Sequence, residues 1–130
     1  FRFLGRPYSI TGEVLDGKRV GRKIGFPTAN LVPEDYLIMP RNGVYITKTL
    51  YNGELYNSLT NVGRNPTFGS GGKTSVETHI LDFDQDIYKS SIEVFFLKKL
   101  RDEKKFKNAD ELAEQISKDI NAARQYFGLV

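Results

Sequence analysis

Cysteine is absent from this 130-residue sequence and histidine occurs once, at position 79. Without cysteine there is no disulfide framework, no thiolate metal site and no thiol nucleophile, and one imidazole cannot build a multi-histidine cluster. Zinc chemistry and cysteine catalysis are therefore excluded. Long apolar runs are missing too: none approaches the roughly 18 residues of a membrane span, and no signal-peptide pattern opens the sequence. A soluble, cytoplasmic protein is expected. A large excess of one charge is also lacking. Nineteen Lys and Arg against sixteen Asp and Glu leave +3, a mild bias toward an anionic ligand that falls short of the basic stripe of a dedicated nucleic-acid binder.

What is present suits one packed domain. The length allows a single apolar core and not two, and 39% hydrophobic residues with nine Phe and seven Tyr argue against disorder. Short β-branched or aromatic runs bounded by Gly, Asn or Pro extend from Tyr8 to about Leu97. Tyr8 to Val14 is one strand. Gly43 to Leu50 alternates and passes through Asn52-Gly53, a strong hairpin signal, into Glu54 to Asn61. Val76 to Phe83 and Ile92 to Leu97 follow, with Asp84-Gln85-Asp86 as the turn between them. Five or six antiparallel strands at this spacing predict a small closed or nearly closed barrel. The period then changes: Leu112, Ile116, Ile120, Ala123 and Phe127 follow helical spacing, Asn108 with Glu111 reads as a capping box, and Gly128 as a stop. The helix stripe is expected to pack on the barrel and cover an open end.

Three stretches could carry chemistry. In Gly21-Arg22-Lys23-Ile24-Gly25-Phe26-Pro27-Thr28-Ala29-Asn30, Gly17, Gly21 and Gly25 recur every four residues and let backbone N–H groups approach an anion, while Arg22 and Lys23 balance its charge. Pro27 fixes the chain direction, after which Thr28 and Asn30 point the same way in an extended segment and could share a Mg²⁺ whose charge ATP meets. Read alone, the same stretch also fits a surface turn. In Ser75 to Phe83, alternation places Val76, Thr78 and Ile80 on one face and Glu77, His79 and Leu81 on the other. Glu77 is then either an outward surface charge or a general base for an attacking alcohol. Finally, Lys98 to Lys107 is densely charged. It is a solvated connector, or Arg101 and Lys104 meet a polar ring edge or phosphate while Phe106 offers a flat apolar face. Gly63 to Lys73, rich in Gly and Pro, reads as a long irregular loop of the kind that carries function.

Taken in order, Gly5-Arg6-Pro7-Tyr8, the Gly21 to Asn30 stretch, Gly43-Val44-Tyr45, Asn61-Val62-Gly63 with Pro66-Thr67-Phe68, Glu77-Thr78-His79, and Leu100 to Lys104 with Phe106 span nearly the whole chain. This set closely resembles the riboflavin kinase module found at the C-terminal end of bacterial bifunctional FAD synthetases. The resemblance implies a mainly β fold, a six-stranded antiparallel Greek-key barrel with a C-terminal helix, and ATP-dependent phosphorylation of riboflavin to FMN. It implies that Thr28 and Asn30 hold Mg²⁺ with the ATP phosphates, and that Gly17, Gly21, Arg22, Gly25 and Pro27 line the nucleotide loop. Ile80 and Tyr88 would approach the adenine side. Glu77 would be the base for the terminal ribityl hydroxyl, and Arg101, Glu103, Lys104 and Phe106 would contact the flavin.

Two features stand apart from the family pattern. Lys89 occupies a position that is usually Gly, which bears on the turn carrying Tyr88. The full bacterial enzyme also carries an N-terminal adenylyltransferase with a His-x-Gly-His phosphate motif, which one histidine cannot supply. Residues 1–130 are therefore expected to be a riboflavin kinase domain cut from a longer protein, stopping at FMN. A competing reading from another class is a non-enzymatic barrel that binds single-stranded nucleic acid through loops and aromatics; Glu77, Asp82, Asp84 and Asp86 stand in the strand and turn that such a groove would use. A flavin-binding module without catalysis is a third reading, which the intact Thr28, Asn30 and Glu77 oppose. No membrane partner is expected.

Overall fold

The structure, a computed structural model, describes residues 2–3, 6–15, 29–33, 40–64, 74–83, 87 and 89–128. Its strands are β1 (Arg2–Phe3), β2 (Arg6–Pro7), β3 (Ser9–Leu15), β4 (Ala29–Pro33), β5 (Gly43–Tyr51), β6 (Glu54–Arg64), β7 (Thr74–Ile80) and β8 (Ser91–Arg101), followed by helix α1 (Ala109–Tyr126). β1 and β2 form a separate two-stranded ribbon, and the other six close a barrel in the order β3-β4-β7-β6-β5-β8. Every barrel pairing is antiparallel. Because β5, β6 and β7 meander and β8 returns beside β5, the path is a Greek key. Closure leaves the six barrel strands without an open sheet edge.

Local chemistry explains the joins. Asn52 and Gly53 have φ of 51° and 81°, the double left-handed pair that joins β5 to β6 with a twist matching the strands. β7 stops at Ile80, short of the expected Phe83, because Leu81 and Asp82 turn and Asp82 has φ 54°. β4 is the strand that strand-by-strand reading of the sequence did not list, since its five residues follow a Gly-rich stretch and include Asn and Pro. β6 runs on through Gly63 and Arg64, which pair with Ser75 and Thr74. Of the expected loop beyond them, residues 65–73 lie outside the described residues, as does the Asp84 to Asp86 turn.

The barrel interior has an apolar and a polar side. Ile10, Val14, Leu31, Tyr45, Val62, Val76, Ile80, Ile92, Val94 and Phe96 are buried in one cluster. On β5, β6 and β7 the inward positions Thr47, Thr49, Ser58, Thr60 and Thr78 are fully buried. Their hydroxyls form a ladder: Thr49 to Ser58 at 2.8 Å, Ser58 to Thr47 at 2.7 Å, Thr47 to Thr60 at 2.9 Å and Thr60 to Thr78 at 2.9 Å. Burying such hydroxyls is tolerable only because each finds a partner.

A second cluster lies outside the barrel, where Val44, Ile46, Leu59 and Leu81 meet Ala123, Ile120, Phe127, Leu97 and Leu100. The helix therefore packs on the outer wall of β5 and β6 and not over an open end; β5 is buried on both faces for this reason. Strict alternation would send Leu97 and Leu100 to opposite faces. The β5–β8 register slips between Val44 and Tyr45 and again between Ile46 and Thr47, and these irregularities turn both leucines outward. The Asn108 side chain caps α1 by accepting from Glu111 N at 2.9 Å, and the Glu111 carboxylate accepts from Lys107 N at 3.2 Å. At the other end Gly128, with φ 75°, donates to Gln125 O.

Candidate active site

One row of residues in register crosses five strands of the barrel wall. Arg101 on β8 is opposite Val44 on β5, Val44 is opposite Asn61 on β6, Asn61 is opposite Glu77 on β7, and Glu77 is opposite Asn30 on β4. These residues share a level and a face because each antiparallel pairing places its partners directly across from one another. With neighbouring strands roughly 4.8 Å apart, the row from Arg101 to Asn30 runs about 19 Å along the wall. It holds, in order, the cation of Arg101, apolar Val44, the amide of Asn61 and the carboxylate of Glu77, and it ends at the backbone of Asn30. Alternation put Glu77 on the face opposite Val76, Thr78 and Ile80, and those three are buried inside. Glu77 is half-buried among its neighbours, with His79 and Ser75 on either side along β7.

Asn61 was part of a sequence motif but had no role assigned to it. Its Oδ1 is buried and accepts no hydrogen bond among the described residues, whereas most buried acceptors in folded proteins are satisfied. Beside it, Gly63 has no side chain for a specific reason: a Cβ there would fall inside the carboxylate of Glu103. The strap of residues 102–107 between β8 and α1 thus comes against β6 at Gly63, two residues along the strand from Asn61. Phe106 in that strap is half-buried.

The strap cations are anchored to the helix. Arg101 Nε donates to Asp119 Oδ1 and Oδ2 at 2.9 and 3.1 Å, its Nη2 donates to Oδ2 at 2.7 Å, and its Nη1 donates to Asp102 O at 3.0 Å. Gln115 Nε2 donates to Asp119 Oδ1 at 3.0 Å, and Lys104 Nζ donates to Gln115 Oε1 at 3.3 Å. Lys99 meets Asp102 at 2.6 Å and holds its carboxyl below the usual carboxylate range. Sequence reading missed Asp119 and Gln115. A signal was present: Asp119 is a charge set between Ile116, Ile120 and Ala123 on the apolar stripe, and it is buried.

The structure brings together Glu77, Arg101 and the backbone of Asn30 in the row, with Glu103, Lys104 and Phe106 on the strap beside it. Ile80 is not on that face; its side chain packs in the barrel core. Gly17, Gly21, Arg22, Gly25, Pro27, Thr28 and Tyr88 lie outside the described residues. Lys89, where the resemblance leads one to expect Gly, has φ 67°. Its N–H donates to Val14 O at 2.9 Å, so the turn keeps a left-handed backbone although its residue carries a Cβ.

The described residues thus define a closed Greek-key barrel that presents a carboxylate, Glu77, on its outer wall, beside a strap tied to the last helix. Among the described residues no helix is long and apolar enough to cross a membrane. The family model for riboflavin kinase, Flavokinase, matches residues 4–127, and the chain belongs to the riboflavin kinase family. It is 44% identical over 126 residues to the bifunctional riboflavin kinase/FMN adenylyltransferase of Bacillus subtilis, covering 95% of this chain and 40% of that protein. It is 42% identical over 127 residues to the Escherichia coli K12 protein of the same description, covering 97% and 40%. The chain thus spans about 40% of the length of the curated relatives it matches. Among solved structures, one described as a macrolide-efflux protein from Streptococcus pneumoniae superposes with a TM-score of 0.86 at 40% identity, covering 93% of this chain and 40% of that one. A riboflavin kinase from Trypanosoma brucei superposes with a TM-score of 0.66 at 20% identity, covering 94% and 80%, and shows the shared fold.

Proposed function

We propose that the chain transfers the γ-phosphoryl group of ATP to the terminal ribityl hydroxyl of riboflavin, giving FMN and ADP. The observation that carries this reading is the row itself. It sets Glu77 next to the backbone of Asn30, which follows the glycine-rich stretch in sequence, on one side, and toward Arg101 on the other. An attacking alcohol needs a proton acceptor on a rigid element with the donor phosphate on one side and its own body on the other. Membership of the riboflavin kinase family supplies the identity of the alcohol.

In this reading the glycine-rich stretch with Gly17, Gly21, Arg22, Gly25 and Pro27 receives the phosphates, with Tyr88 on the adenine side, while Ile80, packed in the barrel core, supports the strand that carries Glu77. Thr28 and Asn30 hold Mg²⁺. A hydroxyl and an amide oxygen are the hard donors that cation takes when phosphates supply the charge, and the backbone register places Asn30 next to Glu77. When bound, the ion would neutralise charge on the transferring group. Glu77 accepts the proton of the terminal hydroxyl as the O–P bond forms; it need not be strongly basic, because the proton leaves late. Arg101, Glu103, Lys104 and Phe106 face the flavin, and closure of the strap would exclude water that could otherwise hydrolyse ATP.

Residues 1–130 would be the riboflavin kinase domain of a longer cytoplasmic protein whose N-terminal adenylyltransferase converts FMN to FAD, in keeping with relatives whose names carry both activities. The test is chromatographic: riboflavin, ATP and Mg²⁺ with the chain should yield FMN, and chelation of the metal should abolish it. Absence of FMN with metal present would overturn the proposal.

A further inference from the structure

We propose that Asn61 selects the polyol of the acceptor, its Oδ1 accepting a hydrogen bond from a secondary hydroxyl close to the terminal carbon of the ribityl chain. This rests on the functional reading above and adds a residue to it. Three observations lead there. Asn61 is in register with Glu77 on the side away from Asn30. It stands between Glu77 and Val44, and Val44 is opposite Arg101. Its Oδ1 is buried and accepts no hydrogen bond among the described residues.

A substrate with its ring at the Arg101 end and its terminal hydroxyl at Glu77 must lay the connecting chain over Val44 and Asn61. One strand spacing, roughly 4.8 Å, separates Asn61 from Glu77, so the group above Asn61 lies one or two carbons from the reacting one. Hydroxyls there are donors, and an amide oxygen without a donor is the complement they need. The protein bears the desolvation of that oxygen before substrate arrives, and the hydroxyl relieves it. An acceptor with the same ring but no hydroxyl at that point gains nothing. A Mg²⁺ role fits less well, because the functional reading above puts the metal at Asn30, whose backbone is in register with Glu77 on the side away from Asn61.

The experiment compares kcat/KM of the 130-residue chain on riboflavin and on its 3′-deoxy and 4′-deoxy analogues, for wild type, Asn61→Leu, Asn61→Ala and Asn61→Asp. Wild type should favour riboflavin over one of the analogues by roughly 10- to 100-fold, the value of satisfying one buried acceptor. Asn61→Leu and Asn61→Ala should bring that ratio to about unity, with the KM for ATP and the Mg²⁺ dependence unchanged. Asn61→Asp, which keeps an oxygen in place, should preserve the ratio. Asn61→Leu should also melt at or above the wild-type temperature, because an apolar group of similar shape replaces an unmet acceptor; a structural role would lower it. Should Asn61→Leu fail to fold, Asn61→Ala carries the comparison.

A wild-type enzyme that does not discriminate, a leucine or alanine variant that still does, or a changed Mg²⁺ dependence with discrimination intact would each overturn the proposal. If wild type forms no FMN, the phosphotransfer reading fails by itself. The same ratio, read as Kd from quenching of flavin fluorescence, then decides the role of Asn61.

Discussion

Arg101 and Asp119 form a three-bond fork, 2.7 Å at its shortest, with the Arg101 side chain 17% exposed and that of Asp119 6%. The pair ties the end of β8, where the strap begins, to the middle of α1. Removing one partner leaves the other buried and uncompensated, which costs about 3–5 kcal/mol in comparable pairs. Asp119→Ala should therefore lower urea-unfolding stability by about 3 kcal/mol, the lower end because Arg101 retains some solvent. If Arg101 faces the flavin, the same variant should raise the KM for riboflavin more than the KM for ATP. Unchanged stability would mean that the fork contributes nothing to docking the helix.

Glu77→Gln keeps the shape of the row and removes the proton acceptor. Turnover should fall about 10²- to 10⁴-fold, the range of a general base, while Mg²⁺-nucleotide binding measured by calorimetry stays near wild type. Near-normal turnover would take Glu77 out of that role.

Thr60 is an interior member of the hydroxyl ladder, bonded to both Thr47 and Thr78. Thr60→Val is nearly isosteric and leaves no cavity, so its effect isolates the hydrogen bonds. Destabilisation of about 1–3 kcal/mol is expected from the two partners left short, read from urea midpoints with the slope unchanged. A neutral result would show that the ladder re-pairs around the gap.

Lys89 holds φ 67°, where an L side chain costs about 1–2 kcal/mol and glycine does not. Against this, glycine gives the unfolded chain about 0.5–1 kcal/mol of extra freedom. Lys89→Gly should then stabilise the protein by up to about 1 kcal/mol, seen as a higher unfolding midpoint. A loss of stability would mean that the lysine side chain makes contacts worth more than its strain.

Tyr8 and Tyr45 both pack against Phe96, with ring centroids 5.8 and 5.1 Å from it. Burial raises both phenols above their ordinary 10.0. A raised value means that the folded state keeps its protons longer than the unfolded chain. The contribution is complete below 10.0 and is lost as pH climbs from there through the folded-state values. Stability should decline on the alkaline side. The Tyr45 hydroxyl donates to Arg41 O at 2.6 Å, whereas the buried Tyr8 hydroxyl has no partner. Tyr8→Phe should hold or raise stability at neutral pH and flatten the alkaline decline, as followed by urea unfolding across pH. A marked loss at neutral pH would contradict the unpartnered hydroxyl.

Taken by itself, the sequence determined what depends on near neighbours along the chain. Asn52-Gly53 forced a tight hairpin because both residues accept positive φ. Asn108 and Glu111 started the helix because their side chains reach backbone N–H groups one turn away. The period of two in β7 sent Glu77 to the face opposite Val76 and Thr78 before any partner strand was known. Chemistry-bearing residues were legible for the same reason, as motifs of fixed spacing. Only the tertiary structure decided which strands became neighbours. Asn30, Asn61, Glu77, Val44 and Arg101 are scattered over 72 positions from first to last and share one level because the Greek-key path and two register slips align them. The inward ladder of hydroxyls, the fork between Arg101 and Asp119 and the carboxylate of Glu103 against Gly63 are likewise pairings between distant segments. Local propensity contains no term for such pairs; they form when closure of the barrel buries polar groups that must then find partners in space.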